Sequence, residues 1–120
     1  MRYMLLIYQN TEAWNGLSQE DKDVFMHAAG DVVQGLSATG ELVGGEGLAD
    51  ASQARSTRVR DGVVTVTDGP FLEAKEALAG YCIVDVATPE RAEEIAARWP
   101  DAQRWGMEIR ALMHGGGEEG

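Results

Sequence analysis

The residues best suited to chemistry stand together in Thr67-Asp68-Gly69-Pro70-Phe71-Leu72-Glu73-Ala74-Lys75-Glu76. A carboxylate sits beside a tight turn, an aromatic ring follows, and an acid and a base come two residues apart. Read as a site, Asp68 is a general acid or base, Glu73 and Lys75 orient a ligand by charge, and Phe71 is an apolar wall that desolvates the carboxylate. Read as a turn, the Asp68 side chain accepts from nearby backbone N–H groups, Pro70 limits φ, and the charges face water. Asp-Gly-Pro is a common turn composition, so residue chemistry alone leaves both readings open.

A second candidate is Glu46, set between glycines in Gly44-Gly45-Glu46-Gly47. It is either a ligand-binding group reached by close backbone approach or a charge on an exposed, irregular strand edge. The run is not a phosphate loop, because it lacks the Lys and the following helix. Arg58 and Arg60 alternate with Val59 and read as a solvated hairpin face, whereas Tyr81 reads as core with its hydroxyl at the sheet surface. His27 falls about 200° around the helix from Phe25, on the polar side with Asp23 and Asp31, and His114 adjoins the glycine tail. Neither histidine is well placed as a fixed catalyst. With a single cysteine, Cys82, no thiolate cluster can form, and neither haem nor a structural metal is expected. Trp14 stands far along the chain from Trp99 and Trp105, which bracket a helix end, so no base-stacking platform is expected.

The elements that must hold these residues follow from periodicity. Met1 to Tyr8 and Leu78 to Val86 alternate with apolar residues on both sides, as strands covered on both faces do. Gln9 to Gly16 is polar and reads as a loop. Ser18 with Asp21 three residues on is a helix cap, and Phe25, Ala29, Val32, Val33 and Leu36 form one stripe that ends near Gly40. Leu42 to Leu48 reads as an irregular glycine-rich strand. Asp61-Gly62 joins Ser56–Arg60 to the β-branched Val63–Thr67 as a hairpin. Thr88-Pro89 starts a second helix whose buried stripe is Ala92, Ile95, Ala96 and Trp99 and whose end is Pro100. A last strand covers Arg104 to Met113.

This order is a split βαβ pattern with an additional hairpin, a ferredoxin-like α+β subunit with both helices on one sheet face. Two helices cannot cover a sheet that is apolar on both sides. A homodimer joined through the other face is therefore expected. The 120 residues fit one domain, read as 1–114 with a flexible Gly/Glu tail at 115–120. A net charge of -10, from five basic against eight acidic residues in the first 60 and five against twelve in the last 60, argues against nucleic acid and anionic membrane as partners. The apolar start is too short for a signal peptide or a span, and cytoplasmic residence is expected.

The segment Val66-Thr67-Asp68-Gly69-Pro70-Phe71, with Glu73, Lys75, Glu76, Leu78, Gly80 and Tyr81, resembles the signature of the DGPF branch of the YCII-related family. Arg2 to Tyr8, Leu42 to Leu48 and Glu108-Ile109-Arg110 resemble the same family, so the likeness runs from residue 1 to about 113. The resemblance implies a dimeric α+β barrel of bacterial origin. It also implies a distant likeness to muconolactone isomerases, a proposed His and Asp pair in a cleft, and genes near extracytoplasmic-function sigma factors. Asp68 keeps the motif position here, while the histidine has no counterpart on a buried face. Two functions follow as expectations. One is a small-molecule enzyme doing isomerase- or lyase-like acid/base chemistry at Asp68, with Glu46, Phe71, Glu73 and Lys75 on the ligand. The other is a non-catalytic ligand-binding or regulatory accessory with a sigma-factor-linked partner.

Overall fold

Residues Arg2–Asn10 form strand β1, and their alternation decides how the layers lie. Tyr3 and Leu5 are buried, whereas Met4, Leu6 and Tyr8 on the opposite side are half-buried. The computed structural model describes residues 1–72 and 74–114; Glu73 and the tail at 115–120 lie outside them. Strands β2 (Leu42–Gly47), β5 (Glu76–Asp85) and β6 (Gly106–Ala111) join β1 in one antiparallel sheet of order β2-β5-β1-β6. The remaining strands, β3 (Arg55–Arg60) and β4 (Val63–Asp68), pair only with each other. Strand order and direction are those of a ferredoxin-like fold with an inserted hairpin, as the element order implies.

Helices α1 (Thr11–Asn15), α2 (Gln19–Thr39), α3 (Pro89–Ala97) and α4 (Pro100–Arg104) complete the chain. The start of α2 is fixed by the Ser18 side chain, which accepts from the Asp21 N–H at 3.1 Å, and its end by Gly40 at φ 80°. Thr88 caps α3 in the same way, accepting from the Arg91 N–H at 3.2 Å, with Pro89 in its first turn. The core lies where α2 and α3 meet one sheet face. Leu5, Leu36, Val84 and Ile95 are wholly enclosed there, each contributing about 1.5–3 kcal/mol by burial. The register sets Leu5 opposite Cys82 and Tyr3 opposite Val84, so these side chains share the helix-covered face.

Two segments differ from the sequence reading, and the irregular glycine-rich strand agrees with it. The polar stretch from Gln9 to Gly16 is not a loop throughout: β1 continues to Asn10, whose side chain then caps α1 by accepting from the Ala13 N–H at 2.9 Å. The chain turns helical again at Pro100, so Arg104 ends α4 and the last strand begins at Gly106. Proline at the first helical position starts a helix as readily as it ends the preceding one, which periodicity alone does not distinguish. The glycine-rich segment is a strand, with a register shift between Leu42 and Gly44. Among the described residues, no helix is long and apolar enough to cross a membrane.

The hairpin forms as its sequence requires. Asp61 and Gly62 take φ 50° and 78°, the left-handed pair that a two-residue turn between twisted strands needs. Every residue of β4, and every residue of β3 except Ser56, is exposed. Register places Thr57, Val59, Val64 and Val66 on one face of this arm and Arg58, Arg60 and Thr65 on the other.

Candidate functional site

Between α2 and the β2–β5 edge of the sheet lies a half-open cavity of about 420 Å³. Glycines allow the strands that bound it to approach closely. A Cβ on Gly45 would stand 2.5 Å from the Tyr81 carbonyl oxygen, and one on Gly80 would stand 2.9 Å from the Glu46 carbonyl oxygen. Gly44, by contrast, faces open space. The glycine spacing that looks irregular in sequence thus has a local cause: β2 lies against β5 at a distance that side chains forbid.

One wall comes from α2, through Phe25, Ala29 and Val33, and Trp99 and Cys82 close the inner end. Phe25 is held by an aromatic pair: Trp14 meets it edge-on with centroids 5.4 Å apart, and Trp105 lies at 5.5 Å. The two tryptophans that sequence separates by 91 places therefore serve a single ring.

The polar feature of the cavity is Asp101, which is 2% exposed. It sits in the first turn of α4, directly after Trp99 and Pro100, so the buried Trp99 side chain and the short helix together draw it inward. Its Oδ2 accepts a hydrogen bond from Gln9 Nε2 at 2.9 Å. Burial raises its pKa above the ordinary aspartate value, against the opposing pull of Gln9 and of its own backbone N–H. Cys82 is a poor nucleophile in the same cavity, because burial pushes its thiol up to about 11. The cavity thus offers one buried carboxyl group, its pKa raised by desolvation, fixed by a neutral amide and set among apolar walls. Such a group can give a proton to a bound molecule or, once ionised, take one.

The residues singled out in the sequence are not gathered there. Glu46 lines the cavity, but it is exposed, and its register partner is Tyr81, which lies on the sheet face away from the helices. Asp68 is the last residue of β4, exposed and opposite Arg55. Phe71 is 59% exposed with the Arg58 guanidinium carbon 4.3 Å from its ring centre. Lys75 is exposed, its carbonyl accepts from the Thr11 N–H at 3.3 Å, and it borders a shallow depression with Pro70 and Leu72. Glu73 lies outside the described residues. Within the turn, Gly69 donates to the Ala54 carbonyl at 2.7 Å and the Ser56 hydroxyl donates to the Gly69 carbonyl at 2.8 Å, fastening the motif to the base of the arm. His27 lies 3.7 Å from Asp31 on the solvated side of α2. Among the described residues, no group of three or more His, Cys, Asp or Glu side chains is placed to hold a metal ion.

Gln9 and Asp101 are the polar residues that sequence reasoning passed over. A signal for Gln9 was present: it continues the Tyr3, Leu5, Ile7 alternation by one more step, which places it on the core face. Asp101 had only its nearness to Trp99.

Comparison with known proteins agrees with the fold. An uncharacterised protein of Rhizobium meliloti (strain 1021) is 29% identical over 96 residues, covering 80% of this chain and 77% of that protein. The YCII-related domain profile matches residues 1–114. With that match spanning all of the chain but its last six residues, this protein belongs to the YCII-related domain family.

Proposed function

We propose that the protein binds a small molecule in the cavity beside α2 and that Asp101, held by Gln9, is the group that exchanges a proton with it. The observation carrying this reading is the pairing of a carboxyl group 2% exposed with an apolar chamber of about 420 Å³. Perturbed acids in enclosed apolar clefts are where proton-transfer chemistry concentrates. The test is a metabolite screen by thermal shift on the wild type, Asp101→Ala and Asp68→Ala, each first checked for folding by circular dichroism. A ligand that stabilises the wild type and Asp68→Ala, and binds at least tenfold more weakly to Asp101→Ala, supports the reading. The reverse pattern moves the site to the motif.

That second reading has its own support. Arg58 lies over the Phe71 ring, so an aromatic ring and a cation meet beside the arm, and Asp68 stands three residues before Phe71 at the end of β4. In this reading the motif performs the isomerase- or lyase-like step, or serves a regulatory accessory whose exposed arm meets a sigma-factor-linked partner.

We also infer a homodimer closed into an α+β barrel. Met4 and Leu6 on β1, with Tyr81 and Ile83 on β5, are half-buried on the face that no helix covers. A second copy of the same sheet would remove them from water. Light scattering is expected to give about twice 12.9 kDa. A value near the single-chain mass would contradict the inference.

A further inference from the structure

The charges around the cavity say what kind of molecule it can hold. Among the described residues, its lining includes two acids, Glu46 and Asp101, and no Lys, Arg or His. Arg104 comes no nearer than the Phe25 ring, 6.0 Å from its centre, and is itself exposed outside the lining. A carboxylate or phosphate entering this space would give up its hydration, meet no cation and face Asp101. Desolvation of that kind is repaid only by close pairing with an opposite charge. An ammonium group would find Asp101, but a buried ion pair must recover the desolvation of both partners, and the Asp101 carboxyl is braced by neutral donors, the Gln9 amide and its own backbone N–H.

An uncharged ligand meets neither penalty. Oδ2 of Asp101 is engaged by Gln9, the backbone N–H of Asp101 also supports the carboxyl, and Oδ1 is the oxygen that Gln9 leaves for a ligand. In its protonated form the carboxyl can donate from that oxygen to a carbonyl or similar acceptor. The Phe25, Trp99 and Val33 walls then take up a flat apolar body. Resting on the reading that this cavity is the ligand site, we propose that its ligand is an uncharged, aromatic-sized molecule with a hydrogen-bond acceptor directed at Asp101, and that the cavity rejects molecules bearing a carboxylate or phosphate.

Three probes with the same ring system and different charge test this: indole-3-acetamide, indole-3-acetate and tryptamine. Each is titrated into the ¹⁵N-labelled full chain at pH 6 and 0.15 M salt. The amides of Gly45 and Gly80 and the Trp99 indole N–H report on the cavity. The expected result is saturable shifts at these positions with indole-3-acetamide, and affinities at least tenfold weaker for the other two. Indole-3-acetate binding within twofold of the amide, or tryptamine binding most tightly, would overturn the ligand class while leaving the cavity as a binding site. Failure of all three probes to shift these signals would overturn the cavity itself as a ligand site, and this proposal with it.

Discussion

β2 and β4 are both strands of six residues, and they have opposite fates. β2 reads Leu-Val-Gly-Gly-Glu-Gly, a poor strand sequence by propensity, yet it pairs with β5 and helps form the cavity wall. β4 reads Val-Val-Thr-Val-Thr-Asp, a strong strand sequence, yet it pairs only with β3 and is exposed from end to end. Propensity explains why β4 is straight and regular; it does not bury it. β2 is held instead by glycines that admit a close neighbour, and by the Glu41–Arg91 pair just before it, in which two hydrogen bonds of 2.8 and 2.9 Å tie its entry to α3. The family motif rides on the well-formed but unsupported arm. The buried acid sits by the strand that looked weakest.

The largest expected contrast between the two regions is in stability. Trp99→Ala removes a wall of the cavity that is 2% exposed and should cost about 3–5 kcal/mol in chemical denaturation. Val64→Ala, at a residue 63% exposed on the arm, should change stability by no more than about 0.5 kcal/mol. A cost at Val64 approaching that at Trp99 would break the comparison, and would mean that the arm packs on a second copy in solution.

A smaller contrast lies within β2. Gly45→Ala forces a Cβ to within 2.5 Å of the Tyr81 carbonyl oxygen, so the strands must part, at a cost of about 1–3 kcal/mol. Gly44→Ala has nothing within 4 Å and should cost less than about 1 kcal/mol. Equal costs would show that the close approach of β2 to β5 is not what the glycines serve.

Acid should weaken the tie between the entry of β2 and α3. Hydrogen bonds from Arg91 and then Thr39 hold Glu41 down to about 2, against 4.5 for an ordinary glutamate. A carboxyl whose pKa is depressed in the folded chain stabilises it above the ordinary value, and that contribution is lost as pH falls from about 4.5 toward about 2. Arg91→Met should therefore lower stability at pH 7 and flatten the loss across this window. A pH profile with the same slope in both proteins would contradict the assignment.

Much of this fold is legible in the residues. The Ser18 and Thr88 caps, the Asp61-Gly62 turn and the alternation in β1 and β5 are local signals, and each is met by a local hydrogen bond or backbone angle. The site is less legible because it depends on contacts between distant segments. Gln9 and Asp101 are 92 residues apart, and nothing in either neighbourhood requires the other. The prominence of the Asp68 motif has a different source: a turn composition announces itself locally, whether or not a cavity lies beside it.

The central claim is that Asp101 is a buried acid whose pKa its surroundings raise. Following its side-chain carboxyl carbon by ¹³C NMR through a pH titration measures this directly. Desolvation by burial should place the midpoint above the ordinary aspartate value of 3.8. The unfolded chain would then release this proton first, so the group's contribution to stability falls as pH rises from the ordinary value to the raised one. A midpoint at or below 3.8 would mean that Asp101 is solvated or paired with a cation in solution, and would contradict the account.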